Sequence, residues 1–407
     1  MGIGFAEALL VLGLLLAAVA ALSGLLHRTV LSMAVLSVLT GAGLALAGVI
    51  DPSPSSEVVV LSVELALVLT LFADGLVVER ELLVTHWTPA ARAIVLAMPI
   101  TLVLIALASK VLFDDLDWAE AFLLGAVLSP TDPVVTSAVV TSERIPATVR
   151  HTLNLESGLN DGLALPFVLF FVVLATDAGD PLLEGGRLAL EAGFGAAIGA
   201  ALAFVAGRLL DRLPGGGVTL KYEGVYALAL AIASFGLAET TGWGNGLIAA
   251  FVAGIALAVS RHEIPDAFHE FNESVSAIFQ IAVFVIFGAL AVTTGWNGDI
   301  TPLVVFVAFA LLVARPVAVF VAFTGVREPL ANKLFMAWFG PEGVASILFA
   351  LLVLASSETN RSLIFDIASF TILTSILAHG LTDTVGASWL EQRISPASSR
   401  AGASARR

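Results

Sequence analysis

Apolar residues come in blocks of about twenty along this chain, parted by short polar stretches. As a helix, a block of that length crosses a bilayer core of roughly 30 Å. The blocks fall near residues 4–26, 30–50, 57–78, 90–112, 119–140, 148–176, 186–210, 219–239, 244–260, 272–292, 302–324, 331–355 and 362–388. The pattern predicts an all-α membrane protein with thirteen transmembrane helices. No connection could hold a soluble domain, so 1–388 reads as one polytopic unit. The first block follows no basic segment and precedes no small-residue cleavage site, and it reads as a retained helix. Residues 389–407 are small, polar and basic, and are expected to be a disordered cytoplasmic tail.

Composition supports that solvent. The 407 residues are 58% hydrophobic and 13% charged, too little charge to cover a soluble protein of this length. The absence of cysteine excludes disulfides, thiolate metal sites and cysteine nucleophiles. The net charge of −14 does not point to nucleic acid, because the basic residues are sorted by position. Alternate loops carry Arg28; Arg80 and Arg92; Arg144 and Arg150; Arg208, Arg212 and Lys221; Arg261; Arg327 and Lys333, and the tail is basic. Of the basic residues only Lys110, Arg187 and Arg361 fall in the intervening loops. The positive-inside rule then predicts an outside N-terminus and a cytoplasmic C-terminus.

Charges inside the spans are few: Glu64, Asp132, Glu156, Asp161, Arg315 and Glu342. Each costs at least ~2.5 kcal/mol at a helix centre, so each calls for a reason. Asp132 lies in "LSPTDPVVTS", between Pro130 and Pro133 in the middle of the fifth span. Proline removes a backbone donor and clashes with the preceding turn, which predicts an opened helix near Thr131. Opened backbone survives in a bilayer only inside protein or beside a polar cavity. The next span holds "LESGLND", where Ser157 and Asp161, and Glu156 and Asn160, are spaced i, i+4. All four occupy a sector of about 140° and can face that break. Two acids and oxygen donors, with no His or Cys, suit a hard cation.

The chain also echoes itself. The twelfth span is interrupted by Gly340, Pro341 and Gly343 in "WFGPEG". Spans 1–6 (about 4–176) and 8–13 (about 219–388), linked by one helix near 186–210, then form two inverted six-helix repeats. Helices 5 and 12 become corresponding broken, crossing helices, an arrangement that marks the binding site of secondary transporters.

"TDPV" followed by "ESGLND", with "VELALVLTLFADGL" in the third span, "VARPVAV" in the eleventh and "WFGPEG" in the twelfth, resembles the NhaP-type sodium/proton antiporters of the monovalent cation/proton antiporter superfamily. The resemblance implies a Na⁺ site on Asp132, Asp161, Ser157 and the Thr131 carbonyl, with Glu156 nearby through water. It gives Asn160 an orienting role and places Glu64, Glu156 and Arg315 in a buried ion-pair cluster. It also implies a homodimer in the cell membrane and no cofactor beyond the transported Na⁺ (or Li⁺) and H⁺. The family is usually basic where this chain has Glu342, so either charge compensation at that crossing comes from elsewhere or Glu342 is protonated or paired.

Mechanistically, two carboxylates in a low-dielectric cavity resist being ionised together. Na⁺ and H⁺ therefore compete for one site, and alternating access turns competition into antiport. In the resemblance, Asn at position 160 goes with electroneutral one-for-one exchange. Two alternatives differ in class. A hydrolase using Ser157 or Ser129 has no histidine within the motif around either serine, so the chain is not expected to be an enzyme. A carrier of K⁺ or another small solute stays open, because ion size is not written in a sequence. His379, the one histidine well inside a span, reads as a helix-packing residue near the cytoplasmic side, with a pH sensor as the alternative.

Overall fold

The structure is a computed structural model describing residues 10, 13–18, 21, 33–78, 87–132, 145–176, 181–212, 220–260, 266–296, 298–356 and 360–404. Among them the only regular secondary structure is helical. In chain order these are α1 (Met33–Leu46), α2 (Glu57–Val77), α3 (Trp87–Arg92, a π-turn Ala93–Ala97, then Met98–Leu112) and α4 (Trp118–Val127). There follow α5 (Ala147–Ala175), α6 (Pro181–Arg212), α7 (Leu220–Thr241), α8 (Gly246–Ser260) and α9 (Asp266–Thr294). The last are α10 (Ile300–Phe309, a π-turn Ala310–Ala314, then Arg315–Ala322), α11 (Leu330–Trp338), α12 (Val344–Ala355) and α13 (Arg361–Ser404). Eight of the helices are long and apolar enough to cross a membrane. The first expected span and residues 133–140 of the fifth lie largely outside the described residues.

Local chemistry explains the ends. Ser56 caps α2 by accepting from the Val59 amide at 3.3 Å. Asp117 and Glu120 form a capping box at the start of α4, with bonds of 2.8 and 2.7 Å, which satisfies two otherwise orphan donors. Glu120 also accepts from Asn360 at 2.8 Å, and Asn360 donates to the Asp115 carbonyl at 3.0 Å. The beginnings of α4 and α13 are thereby pinned together.

Both π-turns sit directly before a proline step, Met98-Pro99 in α3 and Arg315-Pro316 in α10. Proline clashes with the carbonyl four residues back, and one wider turn relieves it. The helix after α3 breaks at Leu128–Asp132, and the segment after α10 breaks at Phe339–Gly343, between α11 and α12.

One large apolar cluster runs through α2, α4, α8, α9, α12 and α13, with Phe287, Phe306, Phe349 and Phe365 fully buried. Outside it, Val103, Leu107 and Val111 make an exposed i, i+4, i+8 stripe on α3, the face a membrane helix turns to lipid. Helix α13 runs from Arg361 to Ser404, and its Leu390 is fully buried in a second cluster with Phe335 and Phe339. Arg393 lies 5.8 Å from the Trp389 ring, in cation–π range.

Candidate functional site: two helix breaks locked together

The site is built where the two breaks meet. The Asp132 amide donates to the Pro341 carbonyl at 2.9 Å, and the Val344 amide donates to Asp132 Oδ2 at 3.0 Å. Asp132, leaving one broken helix, thus caps the first turn of the half-helix α12. A carboxylate there satisfies an orphan donor and meets the positive end of the helix dipole. Gly343 is required at this contact, since a β-carbon there would overlap the Asp132 side chain.

Helix α5 closes the other side. Ser157 Oγ donates to the Thr131 carbonyl at 2.8 Å, and Asn160 Nδ2 donates to that carbonyl at 3.1 Å and to Thr131 Oγ1 at 2.9 Å. The structure therefore brings Thr131, Asp132, Ser157, Asn160 and Asp161 to one buried locus. The Asn160 amide holds the opened backbone in place. Buried oxygens without a partner remain on Asn160 (Oδ1) and Asp161 (Oδ1), and such orphans call for a ligand, a proton or water.

A third acid joins them. Asp74, near the end of α2, lies within hydrogen-bonding reach of Asp161, and its Oδ2 is another buried oxygen without a partner. Two carboxyl groups hydrogen-bond only when one carries a proton. Sequence reasoning singled out Glu64 in this span and missed Asp74, one turn from the helix end, where an acid is ordinarily solvated. The following Gly75, which lets α2 and α8 touch, was the available sign that this end is packed.

Glu64 goes elsewhere. It is half-buried, makes no ion pair with Arg315, and has Glu239 as its charged neighbour. The expected three-member cluster reduces to Arg315–Glu156, with Nη1 3.0 Å from Oε1 and side chains only 11% and 5% exposed. Glu156 gives that oxygen to the guanidinium.

Arg315 also resolves the departure at position 342. Its guanidinium lies against Gly340, where a β-carbon would overlap it, and Nη2 donates to the Met336 carbonyl at 3.4 Å. The π-turn before Pro316 delivers a cation to the negative end of α11. The compensation expected from a basic residue at 342 comes from Arg315. Glu342 is itself buried, its Oε2 without a partner and its amide 3.2 Å from Ser375 Oγ.

Among the described residues no three His, Asp or Glu side chains form a cage for a firmly held metal ion. A transported ion must leave as readily as it arrives, and a looser set of oxygens serves that. The fold and site define a membrane carrier with paired broken helices and competing buried acids.

The comparisons place that class within a family. Residues 14–385 match the family model described as sodium/hydrogen exchanger, transmembrane, and the chain belongs to that family. It is similar to the K⁺/H⁺ antiporter NhaP of Alkalimonas amylolytica, at 26% identity over 83% of this chain and 58% of the relative. It is also similar to Na⁺/H⁺ antiporter 2 of Zygosaccharomyces rouxii, at 26% identity over 77% of this chain and 43% of the relative. The chain thus spans about half the length of these relatives. In fold it is similar to the sodium proton antiporter MjNhaP1 of Methanocaldococcus jannaschii at pH 8. The TM-score is 0.78 at 22% identity, covering 95% of this chain and 99% of that one.

Proposed function

We propose that this cation/proton antiporter exchanges Na⁺ or Li⁺ for H⁺, one for one, by alternating access at the locked breaks. The observation that carries the reading is the pairing of Asp161 with Asp74 beside Asp132, with buried oxygens left unpartnered. Adjacent buried acids hold protons unless a cation takes their place, so binding of one expels the other. Asp161, Ser157, the Thr131 carbonyl and Asp132 would receive the ion, with Asp74 added to the expected set. Asn160 orients the backbone, and Glu156 acts through Arg315.

The reading includes thirteen spans in two inverted repeats. It is supported by the fourth and eleventh spans sharing a π-turn before proline, as the fifth and twelfth share a break. The protein is placed in the cell membrane with an outside N-terminus and a cytoplasmic C-terminus. A homodimer would use α6, the least covered of the long spans. Exchange of K⁺ for H⁺ is the second reading, favoured by the K⁺/H⁺ name of the Alkalimonas amylolytica relative. Acid-loaded everted vesicles, given Na⁺, Li⁺ or K⁺ in turn, separate the readings. Proton efflux on Na⁺ or Li⁺ but not K⁺ is expected; efflux on K⁺ alone overturns the assignment.

A further inference from the structure

Two helices end in the same four residues, Thr-Thr-Gly-Trp: α7 at 240–243 and α9 at 293–296. In both the glycine is left-handed, Gly242 at φ +67° and Gly295 at φ +66°, a conformation that ends a helix. Beyond that the two copies part. On α7, Thr241 donates to its own helix at the Ala238 carbonyl, 2.8 Å away, and Trp243 is 68% exposed, edge-on to Phe194. On α9, Thr294 Oγ1 lies 2.7 Å from Asp366 Oδ1 on α13. The Trp296 ring packs edge-on against Phe113 at 6.1 Å and Phe370 at 6.4 Å. The Thr294 hydroxyl also lies 2.8 Å from the Leu290 carbonyl. That carbonyl already accepts a helical amide four residues on, so the hydroxyl proton is free to serve Asp366.

The contact crosses a seam. Helices α1, α2 and α6–α9 pack chiefly on one another, and α3–α5 and α10–α13 do the same. Asp74 belongs to the first body, whereas Ser157 and Asp161 belong to the second, together with Asp132, which caps α12. Hydrogen bonds such as Asn360 to Glu120 and Trp338 to Thr382 tie the second body internally, and Tyr226 to the Ala206 carbonyl ties the first. Thr294 and Asp366 instead join the two bodies. Next to Asp366, Phe365 packs on Phe287 of the first body at 5.6 Å. In the orientation proposed above this is the outer half of the molecule. Toward the opposite end, the cluster holding Val149, Phe335, Phe339 and Leu390 draws on the second body alone, among the described residues.

We propose that the hydrogen bond between Thr294 and Asp366, with Trp296 wedged beside it, is a latch that closes the outer end of the seam while the cation site faces the cytoplasm, and that it breaks each time the site opens outward. This rests on the reading of alternating access with an outside N-terminus.

The surroundings suit a joint that opens. Ser369 Oγ and Trp296 Nε1 are buried donors without a partner. Ser369 stands three residues beyond Asp366 on α13, about 60° round the helix from it. Idle buried donors count against the closed form, and water entering an opened seam would satisfy both. They offset the gain from one hydrogen bond to an acid, so neither form is locked. The bond lies away from the competing acids and breaks whichever ion is carried. It therefore sets the resting direction and the rate of opening, and leaves the exchange ratio alone.

The chain has no cysteine, so introduced thiols are the only ones present and report cleanly. In right-side-out vesicles, Ser369→Cys should react slowly with a membrane-impermeant maleimide applied outside. Adding Thr294→Val should raise that rate about tenfold or more, the shift that one hydrogen bond to a charged acceptor controls. Thr294→Ser, which keeps the hydroxyl, should not, and neither should Thr241→Val at the other Thr-Thr-Gly-Trp end. Thermal unfolding of each variant reports that it is folded. In a second arm, Thr294→Cys with Asp366→Cys is bridged by a short, reducible bifunctional thiol reagent, and mass spectrometry reports the bridge. Bridging should cut cation-driven proton flux at least tenfold and reduction should restore it, while neither single cysteine responds to the reagent. Equal labelling with and without Thr294→Val, or undiminished flux through the bridged protein, overturns the latch and spares the cation site. Absence of flux on Na⁺, Li⁺ and K⁺ in the unaltered protein overturns the exchange reading, and the labelling, which needs no transport, still decides the latch.

Discussion

Replacing Arg315 by alanine tests the most heavily buried ion pair of the site. The side chain is 11% exposed and its partner Glu156 5% exposed, with a 3.0 Å bond between them. Removing the guanidinium strands a buried carboxylate, which costs about 3–5 kcal/mol. The contact to Met336 at 3.4 Å is at the weak end of hydrogen bonding and adds little. The magnitude therefore rests on Glu156, and that gives the control. Arg315→Ala combined with Glu156→Gln removes the stranded charge and should recover roughly half or more of the loss, since buried pairs replaced together are often near neutral. The measurement is unfolding by denaturant titration in detergent for the two single variants and the double. A single variant as stable as the parent, or a double no more stable than Arg315→Ala, would refute the argument that a stranded Glu156 sets the cost.

The remaining predictions concern the ion. Asp161→Asn should abolish Na⁺-driven proton flux in vesicles while stability stays unchanged or rises, because one of two adjoining buried acids is gone; appreciable flux would sink the competition mechanism. Asp74→Asn should leave the protein folded and raise the apparent KM for Na⁺ by roughly tenfold or more, as expected for losing a charged hydrogen-bond partner, and an unchanged KM removes Asp74 from the site. Gly343→Ala should cost about 1–3 kcal/mol through overlap with Asp132, read as a lowered unfolding temperature, whereas Gly236→Ala, at an open position, should not. In proteoliposomes an imposed potential with no pH gradient should not concentrate Na⁺, although it is worth ~2.3 kcal/mol per charge per 100 mV; accumulation would exclude one-for-one exchange.

What could be read before the structure was whatever a single helix determines. Spans follow from apolar length, the breaks from Pro130 and from Gly340, Pro341 and Gly343, and the shared face of Ser157, Asn160 and Asp161 from helical spacing. Pairing between helices distant in sequence was not readable. Glu64 and Asp74 are ten residues apart on α2, about 80° short of full turns, so they point to different neighbours. Hydropathy favours Glu64 because it is nearer the span centre, yet packing turns it toward Glu239 and sends Asp74 to Asp161. The same limit hid Arg315's contact with the second break, since nothing in "VARPVAV" says that a π-turn will aim it at Gly340.

Under the proposed one-for-one exchange, adding Asp74 enlarges the set of acids at the site without changing the ratio. With three acids, a bonded Asp74–Asp161 pair would hold one shared proton. When the cation is bound, that shared proton stays and the other two carboxylates are ionised against one positive charge. When the cation leaves, a second proton takes its place, and the net charge of the site is the same. Only one proton alternates with the ion. An aspartate at position 160 would offer a fourth acid, but the Asn160 amide is already committed to Thr131 through two hydrogen bonds that a carboxylate cannot donate. A carboxylate there would give up the anchoring of the opened backbone as it added a titrating group, and it would still lack a route for the extra proton. In this reading Asn160 is kept for geometry first, and its neutrality fixes the stoichiometry as a consequence.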